Sequence, residues 1–220
     1  MWHLFAYACV AITATALAVL IYPILFPIIL IFPWKKTIEK EDRTVIFAAS
    51  YNPPHNGHLA LLQYLSERYN KVVAVIGFNP DKKYPVSPQD RAKLLRSMIQ
   101  TVAVPNDNIQ VEVVEGYIWR YAKRIGATIF FRGIRSWDKD GHDERALQIL
   151  NTWGPLLLGP CYIPIPTIYM EGDPQYNHVS STLIRDICSQ NGSSAVDALA
   201  KLVPPTVAPK VMELYGRNTD

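Results

Sequence analysis

The pair His55 and His58 contains the side chains of this sequence best suited to chemistry on a phosphate. They lie in Tyr51-Asn52-Pro53-Pro54-His55-Asn56-Gly57-His58, directly after an apolar run. Gly57 lets the backbone approach a ligand closely, and the free N–H groups at the start of a following helix suit a phosphate. Two imidazoles there could donate hydrogen bonds to phosphate oxygens as charge develops in a transition state. Metal binding is the alternative, but no nearby carboxylate completes a ligand set.

Three hydroxyl residues form a second group near the other end of the chain. Ser180-Ser181-Thr182 precedes the apolar-periodic run that starts at Leu183, and Arg185 follows one helical turn below Ser181. One Ser or Thr is enough for an N-cap, which is the plainer interpretation. Three hydroxyls beside a guanidinium also make a cradle for a polyphosphate.

Two basic clusters follow apolar runs in the same way. They are Lys82-Lys83 and Arg132-Gly133-Ile134-Arg135. A solvated surface is the usual explanation of any one such cluster. Four polar loops that all suit anions, and that would all lie at one edge of a sheet, instead predict an anion-binding site.

Short apolar runs alternate with amphipathic stretches after Arg43, and these elements must position the four loops. The runs with the length and β-branching of buried strands are 44–50, 71–78, 109–115, 127–133 and 164–170. Helix-like spacing is found at 58–69, 88–100, 117–125 and 143–153. This alternation predicts an α/β fold, a Rossmann-like doubly wound parallel sheet of about five strands. Ligands of such sheets bind outside the carboxyl ends of the strands.

The N-terminal part of the chain has a different composition. No Asp, Glu, Lys or Arg occurs between Met1 and Trp34, and its apolar stretch exceeds the roughly 20 residues that a helix needs to cross a bilayer. We expect a transmembrane or anchor segment at 1–34, a polar tether at 35–43 and a globular domain at 44–220. The positive charges at Lys35 and Lys36 place that domain on the cytosolic side under the positive-inside rule. A removed targeting segment and a buried or interfacial hairpin are the alternatives.

Composition excludes several classes of protein. The 220 residues are 49% hydrophobic, which is too apolar for a disordered or collagen-like chain. A net charge of +3 without a long basic run is too small for a nucleic-acid binder. The three cysteines, Cys9, Cys161 and Cys188, lack the spacing of a zinc site and favour a reducing compartment. We therefore predict no metal-ligating residues and no nucleic-acid partner.

Taken together, the motifs resemble those of the nucleotidyltransferase superfamily. The stretches 50–58 and 180–185 are similar to its signature pair. The stretches 79–83, 87–91, 121–123 and 132–135 resemble pantetheine-phosphate adenylyltransferase in the same order. The resemblance covers roughly 45–190, most of the globular domain. It implies transfer of the adenylyl group of ATP to 4'-phosphopantetheine with Mg2+, giving dephospho-coenzyme A and pyrophosphate.

The resemblance also implies roles for individual residues. His58 would stabilise the α-phosphate in the transition state, and Lys82 and Arg132 would grip the acceptor phosphate and the developing charge. Ser50 stands where the family usually has a Thr that orients the acceptor phosphate, and Ile118 would also contact the acceptor. Residues that would hold the nucleotide are Ser50, Tyr51, His55, Gly57, His58, Gly133, Arg135, Glu144, Tyr176, Val179, Ser180, Ser181, Thr182 and Arg185.

Departures from the family pattern leave other functions open. Asn52 replaces a frequent Asp, and 136–144 lacks the usual Phe-Glu-Tyr run, which bears on acceptor choice and subunit packing. One alternative keeps the fold with another acceptor, either nicotinamide or nicotinate mononucleotide, or a lipid headgroup phosphate with CTP. A second is an inactive, membrane-tethered nucleotide-binding scaffold, although the intact motif residues argue against loss of turnover. A homo-oligomer is a further expectation, as in the bacterial relatives.

Overall fold

A computed structural model of the chain describes residues 2–36, 39–78, 84–102, 107–160, 163–190 and 193–216, and one parallel sheet runs through these residues. Its strands are β1 (Ile28–Leu30), β2 (Glu41–Ala49), β3 (Tyr69–Phe78), β4 (Ile109–Glu115), β5 (Ile129–Ile134) and β6 (Thr167–Glu171). Their spatial order is β1-β6-β5-β2-β3-β4, and every neighbouring pair is parallel. The predicted α/β fold with a Rossmann-like parallel sheet is therefore confirmed, with a strand more than expected.

Helices connect and flank these strands. They are α1 (Trp2–Leu25), α2 (Asn56–Arg68), α3 (Pro88–Gln100), α4 (Ile118–Arg124), α5 (Trp137–Gln148), α6 (Gly154–Leu157), α7 (Ser181–Ser189), α8 (Ser193–Leu199) and α9 (Ala208–Gly216). A π-helical turn, Ile149–Trp153, joins α5 to α6, and a 3-10 turn, Pro174–Tyr176, follows β6. Ser87 caps α3 by accepting a hydrogen bond from the Asp90 N–H at 3.1 Å, and Pro88 takes the first helical position.

Alternation along β2 divides the core into two layers. Val45 and Phe47 point to one layer, where they pack with side chains of α2, α3 and α7 to α9. Ile46 and Ala48 point to the other layer, with Trp119 of α4. All four β2 side chains are buried, as expected of a central parallel strand covered by helices on both faces.

Part of the predicted N-terminal leader belongs to the sheet. Ile28, Ile29 and Leu30 pair with Ile168–Met170 of β6. Trp34 donates from Nε1 to the Glu171 carbonyl oxygen at 3.1 Å, and its ring lies 5.1 Å from that of Tyr64 between centroids. The edge of the sheet is therefore made by residues that precede the expected domain border.

The predicted transmembrane helix is not supported by the structure. None of the helices in the described part of the chain combines the length and the apolar character that crossing a membrane requires.

The order of the strands defines where a ligand should bind. From β2 the chain proceeds outward through β3 to β4, and from β5 it proceeds outward on the other side through β6. The direction of winding therefore changes between the neighbouring strands β2 and β5. Open α/β sheets bind ligands in the crevice at the carboxyl ends of such strands. The histidine motif follows β2 and the Arg132–Arg135 segment ends β5, so both lie at this crevice.

Candidate active site

The loop between β2 and α2 has a buried residue in a left-handed conformation. Tyr51 has φ of +46° and its side chain is fully buried. Its hydroxyl donates a hydrogen bond to the Phe47 carbonyl oxygen at 3.1 Å. A residue with a side chain adopts this backbone region at a cost of about 1–2 kcal/mol, so neighbouring contacts must hold Tyr51 there.

Side chains from other elements supply those contacts by binding the carbonyl oxygens of the loop and of the end of β2. Arg132 Nη1 donates to Ala48 at 2.7 Å, Arg91 Nη1 to Ser50, Arg185 Nη1 to Asn52 at 2.5 Å, and Ser181 Oγ to Pro53 at 2.8 Å. The donors come from β5, α3 and α7. The conformation of the loop is therefore fixed by three separate parts of the fold.

The rings of the two histidines contact each other where α2 begins, with their planes tilted by 37°. His55 is the N-cap residue, and its backbone N–H donates to His58 Nδ1 at 3.3 Å. The centroids of the two rings are 3.8 Å apart. Because His58 Nδ1 accepts a hydrogen bond, the neutral ring carries its proton on Nε2. That N–H is a donor for an anionic ligand.

Both imidazoles are neutral at physiological pH. Burial lowers the pKa of His55 to about 4. Burial also lowers the pKa of His58 well below its usual range, and the charges of His55 and Arg132 lower it further. His58 can therefore donate one hydrogen bond without first changing its protonation state.

A bidentate ion pair joins β5 to α5 beside the histidines. Arg132 Nε lies 2.7 Å from Glu144 Oε2, and Arg132 Nη2 lies 2.6 Å from Glu144 Oε1. Burial opposes the charged guanidinium, but the hydrogen bonds and charge of Glu144 outweigh that effect and raise the pKa of Arg132. The guanidinium thus keeps its charge in a largely desolvated place.

A second ion pair lies nearer the start of α5. The Arg135 backbone N–H donates to Asp140 Oδ2 at 2.7 Å, and Arg135 Nε donates to Asp140 Oδ1 at 3.1 Å. Burial alone would raise the pKa of Asp140, yet the hydrogen bonds and charge of Arg135 hold it below its usual value. Both arginines of the 132–135 cluster are therefore paired with carboxylates of one helix.

The three hydroxyl residues at the start of α7 have different partners. Ser180 is the N-cap, and its Oγ accepts from the Leu183 N–H at 3.1 Å. Ser181 binds the Pro53 carbonyl, and Thr182 Oγ1 accepts from Arg185 Nη2 at 3.1 Å. The N-cap interpretation is correct for Ser180, whereas Ser181 ties α7 to the β2–α2 loop.

A cavity of about 310 Å³ collects most of the predicted nucleotide-binding residues. Those that line it are His55, Gly57, His58, Gly133, Arg135, Glu144, Tyr176, Val179, Ser180 and Ser181. Arg132, Arg185, Ser50, Tyr51 and Thr182 do not line it. Ile118 lies against Gly77 near the end of β3, away from the cavity. The predicted catalytic residue Lys82 lies in 79–83, outside the described residues.

Comparison with known proteins places this geometry in a family. The model of the cytidylyltransferase-like family matches residues 46–187, from β2 into α7. The chain belongs to this family. A phosphopantetheine adenylyltransferase of Chelativorans sp. (strain BNC1) is 30% identical over 176 residues, which are 80% of this chain and 98% of the relative. Another, from Leuconostoc citreum (strain KM20), is 27% identical over 76% of this chain and 96% of its own length.

A solved structure shares the fold of this cytidylyltransferase-like chain. Plasmodium falciparum nicotinic acid mononucleotide adenylyltransferase complexed with NaAD matches 82% of this chain and 100% of its own, with a TM-score of 0.56 and 15% identity. This likeness shows the common fold. The family and its adenylyltransferase relatives make the chain a nucleotidyltransferase, as the motifs predicted.

Three contributors to the site of this cytidylyltransferase-like protein were missed from the sequence. Arg91 lies in the motif at 87–91 and Asp140 in the stretch 136–144, and the sequence assigns a role to neither of them. Tyr215 lies on α9, and the sequence assigns it no role. Its hydroxyl donates to Oδ1 of the buried Asn52 at 3.0 Å. The bonds of Arg91 and Tyr215 join segments far apart in sequence, which residue spacing does not reveal, whereas Asp140 binds Arg135 only five positions away.

Metal-ligating side chains are not clustered in the described residues. Within those ranges, no group of three His, Cys, Asp or Glu side chains could hold a metal ion.

Proposed function

We propose that this chain transfers the adenylyl group of ATP to 4'-phosphopantetheine, forming dephospho-coenzyme A and pyrophosphate in coenzyme A biosynthesis. The observation that carries the proposal is the cavity at the β2–β5 crevice, where His58, the start of α7 and the Arg132–Arg135 segment meet. The phosphopantetheine adenylyltransferases that align with most of this chain support the choice of acceptor.

The proposed step is a substitution at phosphorus. An oxygen of the acceptor phosphate attacks the α-phosphorus of ATP, a new P–O bond forms, and the bond to the oxygen bridging the α- and β-phosphates breaks. Pyrophosphate leaves with the electron pair of that bond. Such a transfer needs no covalent nucleophile on the protein, because positioning and charge stabilisation supply most of the rate.

His58 and Arg132 would supply the charge stabilisation. The Nε2–H of His58 would donate to an α-phosphate oxygen. Because the imidazole of His58 is uncharged, it can do so throughout the range around pH 7. Arg132 uses three of the five N–H donors of a guanidinium on Glu144 and Ala48. Its remaining N–H groups would bind the acceptor phosphate while Glu144 keeps the plane of the guanidinium fixed.

Mg2+ would accompany ATP in this reaction. Two of the cavity carboxylates, Asp140 and Glu144, are paired with Arg135 and Arg132, and a third, Asp173, accepts from the Gln175 N–H at 3.0 Å. This arrangement fits an ion that takes most of its ligands from phosphate oxygens and water. When bound, the ion would neutralise charge on the pyrophosphate. Cys9, Cys188 and the described histidines form no ligand set with these carboxylates.

The test is release of pyrophosphate by the full chain with Mg-ATP and 4'-phosphopantetheine. We expect turnover with this pair and a fall of about a hundredfold or more in His58→Ala, since losing one donor to a developing charge costs about 2.7–4 kcal/mol. His142→Ala is the matched control, because His142 is exposed on α5 and does not line the cavity. Its rate should equal that of the unaltered protein.

Other substrate pairs decide between the alternatives. Nicotinate or nicotinamide mononucleotide with Mg-ATP, and phosphoethanolamine with Mg-CTP, should give no release above background. Release with one of these pairs alone would keep the mechanism and overturn the acceptor. Tight ATP binding without release from any pair would instead identify a scaffold.

The cellular location and the oligomeric state stay predictions from the sequence. They are a membrane location with the catalytic domain on the cytosolic side, and assembly into a homo-oligomer. Fractionation of cells and sedimentation of the purified chain measure the two properties directly.

A further inference from the structure

Arg91 on α3 is a buried cation without a role in the reaction described above. Its side chain has no exposed surface, and Nη1 donates to the Ser50 carbonyl oxygen. Its Nε and Nη2 atoms are buried and have no hydrogen-bond partner. The ion pairs seen among the described residues do not include it. Burying a guanidinium without an anion destabilises the folded protein, so a function for Arg91 is expected.

Arg91 contacts one of the predicted acceptor residues, Ser50, and one aromatic ring. Its guanidinium carbon lies 4.5 Å from the centroid of the Tyr84 ring, a cation–π contact. Tyr84 stands two positions after Lys82 in the sequence. Arg91 therefore contacts the Ser50 backbone on one side and, on the other, the chain that follows Lys82.

Arg91 also acts on the strained residue of the β2–α2 loop. Tyr51 is flanked by the carbonyls of Ser50 and Asn52, which are bound by Arg91 and Arg185 respectively. A trans peptide is planar, so fixing the Ser50 carbonyl also fixes the N–H of Tyr51, which points the opposite way. The two guanidiniums bind the carbonyl oxygens of the residues before and after Tyr51 and thus hold its left-handed backbone.

We propose that Arg91 is a positioning residue for the acceptor, which fixes the Ser50–Tyr51 peptide so that Ser50 is presented to the acceptor phosphate. The buried positive charge lies behind the same peptide and favours an anion in front of it. The inference rests on the proposed function, and the role of Ser50 at the acceptor phosphate is the one that the family resemblance implies. It predicts that Arg91 affects binding of the acceptor far more than binding of ATP.

The experiment measures KM for each substrate separately in variants of the full chain. Arg91→Met should raise KM for 4'-phosphopantetheine about tenfold or more and leave KM for ATP within about twofold, because displacement of a positioning group acts on the substrate it positions. Arg91→Lys, which keeps the charge and one donor, should recover part of the loss. Arg96→Met is the matched control, since Arg96 also lies on α3 and donates to one backbone carbonyl, that of Val111 on β4.

The outcomes separate this inference from the proposed function. An equal rise in both KM values, or a loss of stability with both KM values unchanged, would overturn the positioning role. If Arg91→Met fails to fold, the same comparison in Arg91→Lys decides, with Arg96→Lys as its control. Unaltered protein that releases no pyrophosphate with 4'-phosphopantetheine overturns the proposed function, whereas active protein with unchanged acceptor KM in both variants overturns only the role of Arg91.

Discussion

The neutral state of His55 and His58 has a consequence for stability as well as for catalysis. The unfolded chain would protonate both rings near pH 6.5, whereas the folded protein resists protonation of His55 down to about pH 4 and holds the pKa of His58 low as well. As the pH falls below about 6.5, the histidines of the unfolded state bind protons before those of the folded state do. The unfolded state is thereby stabilised relative to the folded state. The contribution of the two buried rings to the free energy of unfolding is therefore fully present above about pH 6.5 and is lost as the pH falls toward 4.

We predict that the free energy of unfolding in urea falls steadily between pH 6.5 and pH 5, before most carboxylates titrate. His58→Gln removes one of the responsible groups, so its stability should depend less steeply on pH in this window, whatever its absolute stability. His142→Gln should keep the slope of the unaltered protein. Parallel slopes in all three proteins would show that neither buried ring is responsible.

For individual residues, the sequence predicted which side chains belong to the site better than it predicted their hydrogen-bond and ion-pair partners. His55, His58 and the two arginines of 132–135 could be selected because motif spacing and post-strand position carry a signal. The hydrogen bond from the His55 backbone N–H to His58 Nδ1 is local, yet it forms only in the geometry of the helix cap. The pairing of Arg132 with Glu144 depends on how closely α5 approaches β5, which residue spacing does not determine.

Helix α5 brings two carboxylates to the two arginines at the end of β5. Asp140 and Glu144 lie one turn apart on this helix and bind Arg135 and Arg132 respectively. The helix-like spacing of the sequence predicts a helix only from residue 143. In the structure Trp137 starts it and packs on Tyr169 at 5.0 Å between ring centroids, a contact between distant segments.

Asp140 should oppose nucleotide binding, because it lines the cavity and neutralises Arg135. We predict that Asp140→Asn lowers KM for ATP severalfold, since a carboxylate near the polyphosphate is removed and an exposed guanidinium is released. Asp138→Asn removes a charge from the same first turn of α5 and tests the effect of the helix dipole alone. Steady-state kinetics should show a lower KM for ATP in Asp140→Asn and little change in Asp138→Asn. A lower KM for ATP in Asp138→Asn alone would rule out competition between Asp140 and the nucleotide.

Segments from the N-terminal and the C-terminal part of the described chain both contact the rest of the catalytic domain. Tyr215 of α9 binds Asn52 in the β2–α2 loop, and the Leu202 carbonyl accepts from the Asn56 N–H at 2.9 Å, where α2 begins. At the other end, β1 forms the edge of the sheet. Strand β1 was not predicted, because the leader is so uniformly apolar that a short strand cannot be told from a longer helix by periodicity. The contacts of Tyr215 and Leu202 join segments far apart in sequence, which periodicity does not reveal.

For the whole molecule, we expect two N-terminal truncations to differ in stability. A chain without residues 2–26 keeps β1 and Trp34, whereas a chain without residues 2–35 loses the pairing with β6, the packing of Leu30 and Trp34 on the core and the bond to Glu171. We predict that the longer truncation lowers the free energy of unfolding by about 2–4 kcal/mol relative to the shorter one.

Exposure of β6 as an edge strand should also make the longer truncation prone to self-association, because unpaired N–H and C=O groups can pair with another chain. Urea unfolding and light scattering of the two truncated chains, compared directly, measure both effects. Equal unfolding free energies and equal scattering would mean that residues 28–34 add nothing to the sheet. A difference only in scattering would assign β1 the role of covering an edge, with the stability of the domain residing in the five strands from β2 to β6.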